Sequence, residues 1–286
     1  MKAAVLLAAF LTLGSLGVQY AQNPHVTRWA TPDGRETMQI AQGHSSGYTM
    51  PDRVRRLLPI TLFWGLSLGH GSAMPYAAVV VAFFGNLLLA WAVARMVPRP
   101  WTAGLIVLLP PLFVASRALE TTTLGLGLAL VGWQSRNRVL LLLAGLEHET
   151  LLAFSWVARR VSPILIWLCW AAIAAAFWSP RNNGNLAFFG AFRSHIQDDH
   201  VMHFLMFALT YVFAVFALRV HRELTLIYLG YSLVMGTASG LYWTDFTRLL
   251  APLWVLGFIE LVRQIESART PPIRESGGVR AMGIAD

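Results

Sequence analysis

The residues of this chain suited to chemistry fall into a few short groups. Asp33 stands in the polar stretch Pro32 to Leu62, directly after the first apolar run, with Glu36, Asp52, Arg35, Arg53, Arg55 and Arg56 around it. A carboxylate at a membrane edge can take the proton of a hydroxyl or hold a metal. Within Pro32-Asp33-Gly34 it equally suits a plain turn. Arg53, Arg55 and Arg56 precede Leu57-Leu58-Pro59. Guanidinium groups bind phosphate oxygens in pairs, so this trio suits a phosphate-bearing ligand, with anchoring to lipid head groups as the simpler alternative. Glu147-His148-Glu149 lies between the apolar runs Leu140–Gly145 and Leu151–Phe154. Ionisable groups at membrane depth are costly and usually functional; the alternative is a polar plug satisfied by neighbouring helices. Glu149 is a second candidate for a catalytic carboxylate. Arg248, at the head of the last apolar run, either snorkels to the interface or reaches toward the first loop.

Weaker constellations follow. Asp198-Asp199 before His200 and His203 reads as an acidic helix start favoured by the helix dipole, with a metal pair as the less favoured alternative. Gly236-Thr237-Ala238-Ser239-Gly240 has the look of a hydrolase serine but reads better as small-residue helix packing. The single cysteine, Cys169, permits neither an internal disulfide nor a thiolate cluster.

The elements that must position these residues are membrane helices. The chain of 286 residues is 56% hydrophobic and 13% charged, which excludes an ordinary soluble domain. The short alternating strands of a β-barrel are absent from the pattern. The net charge of +8 is an arginine charge, since Lys2 is the only lysine. In a membrane protein it bears on orientation and anionic lipid, and nucleic acid is not an expected partner.

The fold expected is therefore an all-α polytopic membrane protein of about eight crossings, at 3–21, 75–95, 101–117, 120–133, 162–179, 201–219, 224–241 and 246–263. The basic-inside bias puts Arg95, Arg99, Arg136, Arg138, Arg159, Arg160, Arg219 and Arg222 on the cytoplasmic face with both termini. Residues 57–69 are expected as a helix lying in or dipping from the outer interface. Residues 139–158, flanked by arginines on both sides, are expected to enter and return as two half-helices with Glu147-His148-Glu149 at the apex. The first run is expected to stay as a helix; a cleaved signal peptide is the alternative. Residues 1–264 form the membrane domain, with the outer loop 22–74 carrying the active site, and 265–286 a disordered cytoplasmic tail.

Three pieces in order resemble the GT-C superfamily of polytopic glycosyltransferases. They are the outer loop with Asp33, Met38–Gly43 and Arg53-Val54-Arg55-Arg56-Leu57-Leu58-Pro59; the mid-chain Ala144-Gly145-Leu146-Glu147-His148-Glu149-Thr150-Leu151-Leu152; and the late Thr247-Arg248-Leu249-Leu250-Ala251-Pro252. The resemblance implies sugar transfer from a polyprenyl-phosphate donor to a glycan, lipid or protein acceptor on the outer face of the inner membrane. It implies an inverting reaction with Asp33 as base, and Arg53, Arg55, Arg56 and Arg248 on the lipid phosphate. No cofactor is required by it, and a divalent metal stays an open alternative. A non-catalytic membrane protein that binds lipid phosphate for transport or assembly is the competing reading; it would use the arginines and leave Asp33 idle.

Overall fold

The computed structural model describes residues 1–30, 32–43, 57–158, 162–176, 200–238 and 250–269. Among them every regular element is helical: α1 (Lys2–Gln22), α2 (Pro32–Ala41), α3 (Leu57–Ser67), α4 (Met74–Ala94), a 3-10 segment (Pro100–Leu108), α5 (Pro110–Arg117), α6 (Thr122–Ser135), α7 (Arg138–Glu147), a 3-10 turn (Glu149–Leu152), α8 (Ala153–Val157), α9 (Pro163–Ala176), α10 (His200–Val220), α11 (Arg222–Ala238) and α12 (Ala251–Arg269).

The helices lie close to the expected crossings, but among the described residues fewer of them are both long and apolar enough to cross. Among the described residues two helices, Lys2–Gln22 and Gly71–Ala94, are long and apolar enough, and three if a bent pair is one span. That pair is Pro100–Leu108 with Pro110–Arg117, bent by 63° where a single straight crossing over 101–117 was expected. Pro110 and Pro111 cause the bend, because neither has an N–H to donate to the preceding turn. The expected crossing at 120–133 forms α6, which has 14 residues. At 1.5 Å per residue that is roughly 21 Å, short of the ~30 Å hydrocarbon layer.

Helix α1 is stitched into the bundle. Its buried face is Ala4, Ala8, Thr12 and Leu16, while Leu6 and Phe10 are 70% and 73% exposed, an outer face suited to lipid. The buried Asn86 of α4 donates to Thr12 Oγ1 at 3.1 Å, and its own Oδ1 lies 3.1 Å from the Ser116 hydroxyl. Gln19 donates to the Arg117 carbonyl at 2.8 Å. Polar bonds of this kind, with small side chains between, join helices where lipid offers no hydrophobic drive for association.

One end of the bundle is basic. Gln134 Nε2 donates to the Ala92 carbonyl, Arg263 Nε donates to the Met96 carbonyl, and Glu266 Oε2 accepts the Arg99 backbone N–H. Trp133 packs edge-on against His221 at 5.3 Å. These contacts draw the segments with Arg95, Arg99, Arg136, Arg138, Arg219, Arg222 and Arg263 together. Arg159 and Arg160 lie outside the described residues. Helix α12 runs to Arg269, beyond the boundary expected at 264, with Glu266 buried; residues 270–286 lie outside the described residues.

The opposite end has a second, smaller core. Val26, Ala30, Met38, Ala41 and Phe63 from the first polar region pack on Met74, Ala78 and Val81 of α4 and on Leu119. Helix α3 buries Pro59, Phe63 and Ser67 and stops at Leu68 and Gly69, whose φ values of 51° and 76° are left-handed. The Gly69 N–H returns to the Trp64 carbonyl at 3.0 Å, which closes the helix end.

Candidate functional site

Asn137 starts the arm that carries the site. Its side chain accepts from the Val139 and Leu140 N–H groups at 2.9 and 3.3 Å and caps α7. The helix then breaks at the residues expected. His148 is extended, with φ −152° and ψ 126°, and the chain resumes as the 3-10 turn and α8. A break in apolar surroundings frees backbone groups that must find partners. Two of them are supplied by side chains from other helices. Trp170 of α9 donates to the Gly145 carbonyl at 3.1 Å, and the Tyr228 hydroxyl of α11 donates to the Thr150 carbonyl at 2.9 Å.

The chain leaves one helix at Glu147 and enters the 3-10 turn at Glu149, and the two carboxylates line different cavities. Glu147, 4% exposed, faces α6, where Oε1 accepts the Thr121 hydroxyl at 2.9 Å. Gly125, one turn along α6, is where Glu147 Oε2 rests; a Cβ there would overlap that oxygen and lie 2.7 Å from Leu151 Cδ1. His148 Nδ1 accepts the Thr150 N–H at 3.3 Å, and the Thr150 hydroxyl lies 2.9 Å from the same nitrogen. Glu149 Oε2 is 3.8 Å from His148 Nδ1, and the side chain is 36% exposed on the far side of the break.

The polar side of the break is a cavity of about 30 Å³ lined by Gly34 and Thr37 of α2, Phe63 of α3, Glu120, Thr121, and Glu147 with its neighbour His148. That volume has room for a hydroxyl or a water. Helix α2 reaches the cavity at Gly34, where an added Cβ would meet the Ala118 carbonyl oxygen at 3.3 Å. Asp33 stands beside Gly34 in the first turn of α2, with its side chain outside the described part. A smaller adjoining cavity, about 10 Å³, is lined by Glu147, His148, Thr150 and Pro252. The helix of Asp33, the mid-chain break and the end of the late Thr247–Pro252 stretch thus meet around Glu147 and His148.

Glu149 does not join them. It lines a separate apolar cavity of about 450 Å³ between the break, α8, α9 and α11. Arg53, Arg55, Arg56 and Arg248 lie outside the described residues, as do Asp198, Asp199 and Ser239. His200 and His203 fall in the first turn of α10. Among the described residues no three His, Cys, Asp or Glu side chains are grouped to hold a metal ion. Thr121 and Glu120 were missed by sequence reasoning. The one available signal was Glu120-Thr121-Thr122-Thr123, a polar run between two apolar helices.

Comparison with protein-family models, with curated proteins and with solved structures yields no match.

Proposed function

We propose that this chain is a membrane glycosyltransferase that moves a sugar from a polyprenyl-phosphate donor to an acceptor hydroxyl with inversion. The observation that supports the reading is the meeting, at Glu147 and His148, of Gly34 next to Asp33 with Pro252 at the end of the late motif. These stretches are remote in sequence, and they are the three that carry the resemblance to GT-C enzymes.

In the proposed reaction Asp33 takes the proton of the acceptor hydroxyl. The acceptor oxygen then attacks the anomeric carbon as the bond from that carbon to the donor phosphate breaks, and the phosphate leaves with the electron pair. Arg53, Arg55, Arg56 and Arg248 are assigned to the departing phosphate charge. Glu147, held by Thr121, serves as the second carboxylate of the site in place of Glu149, which faces the other cavity.

The test is sugar transfer by purified protein from a panel of polyprenyl-phosphate sugars, with wild type beside Asp33→Asn, Glu147→Gln and Glu149→Gln. The reading expects loss of transfer in the first two variants and its retention in the third. Absence of transfer from every donor, with polyprenyl phosphate still bound, would favour the non-catalytic lipid-phosphate-binding protein.

A further inference from the structure

The cavity of about 450 Å³ on the Glu149 side has a volume in the usual range for small-ligand sites. Its walls are unlike those of the Glu147 cavity. Trp156, Trp167, Tyr228 and Tyr231 supply four aromatic rings, and Glu149 supplies a carboxylate at the same wall. Trp156 is 56% exposed, so the cavity borders the outer surface of the bundle.

Each feature narrows the ligand. Several aromatic faces attract a cation through their ring quadrupoles, and most strongly where water is excluded. A carboxylate beside them favours positive charge again. A primary ammonium would give up its three hydrogen bonds to water for a largely apolar wall with a single carboxylate, a larger desolvation cost than a quaternary ammonium carries. A quaternary ammonium has no N–H donors and presents methyl groups to the rings. We infer that this cavity binds a quaternary ammonium group of the choline type, either free or as a lipid head group.

The site goes beyond the glycosyl-transfer reading and does not depend on it, since neither Asp33 nor Glu147 lines this cavity. Its test is a binding measurement. The full chain is placed in phosphatidylglycerol nanodiscs and titrated by calorimetry with choline and with 3,3-dimethyl-1-butanol, the uncharged carbon analogue of the same shape. Choline is expected to bind at least about tenfold more tightly than the analogue. Glu149→Gln and Trp156→Leu are each expected to weaken choline about tenfold while α-helical circular dichroism stays unchanged. Equal binding of the two probes, no binding of choline at millimolar concentration, or indifference to both substitutions would each overturn the assignment. Repeating the titration in phosphatidylcholine discs identifies the source. Lost choline binding there supports a lipid head group as the occupant, and retained binding supports the free cation. Sugar transfer does not enter this readout, so the two proposals fail separately.

Discussion

Thr121 and Glu147, 26 residues apart in the chain, are joined by a buried 2.9 Å hydrogen bond that ties the start of α6 to the end of α7. The bond fixes the carboxylate where the chain breaks, and it explains why Glu147 and not Glu149 belongs to the cavity beside α2. A carboxylate this deep needs donors around it, because removing water from a charge costs several kcal/mol.

Thr121→Val keeps the shape of the side chain and removes its donor. Leaving Glu147 Oε1 short of a partner is expected to lower stability by about 1–3 kcal/mol. Thermal unfolding of the detergent-solubilised protein, followed by tryptophan fluorescence, measures this directly. An unchanged Tm would mean that the bond contributes nothing.

Gly125→Ala places a methyl group on Glu147 Oε2. The carboxylate has little room to withdraw, since Leu151 Cδ1 would be 2.7 Å from the same carbon. The expected loss is roughly 1–3 kcal/mol, the usual range for overpacking. Combining it with Glu147→Ala should recover part of the loss, because contacting residues couple in a double-mutant cycle. Strict additivity of the two losses would show that the clash lies elsewhere.

Much of this fold was readable from residue types. Arginines on both sides of 139–158 and three ionisable residues inside that apolar stretch marked the break at His148. The bend at Pro110-Pro111 was also on display, but an apolar run long enough to span hid it. The partition of Glu147 from Glu149 was not legible. It depends on packing between segments remote in sequence and on a threonine that looks, in sequence, like any polar residue at a helix start. Residue types record that a carboxylate is present. Which side of a broken helix it faces is settled by backbone angles and by packing partners remote in sequence.

Tyr228→Phe tests how the break is held. The variant keeps the ring that packs against Phe154 at 6.3 Å and loses only the hydroxyl that donates to the Thr150 carbonyl. A buried carbonyl without its donor costs about 1–3 kcal/mol. The damage should be local, with faster amide hydrogen exchange at residues 148–152 than at α4. Uniform exchange changes across the chain would instead point to a global effect and remove the tyrosine's special place.

Glu266 tests where the folded part ends. Its carboxylate is buried at the basic end, and Oε2 accepts the Arg99 backbone N–H at 3.0 Å. Arg99 precedes Pro100, the start of the 3-10 segment, so the bond fixes the direction in which that segment enters the bundle. Glu266→Ala leaves the N–H without its acceptor and should cost about 1–3 kcal/mol. Glu266→Gln retains an amide oxygen able to accept the same bond and should cost less. A chain ended at Gln264 should behave at least as badly as Glu266→Ala, because it also removes the last turns of α12. Retention of the unaggregated protein peak on size exclusion after graded heating would rank the three. If the chain ended at Gln264 matched wild type, Glu266 would be a passenger, and the folded unit would end at the residue where the composition changes.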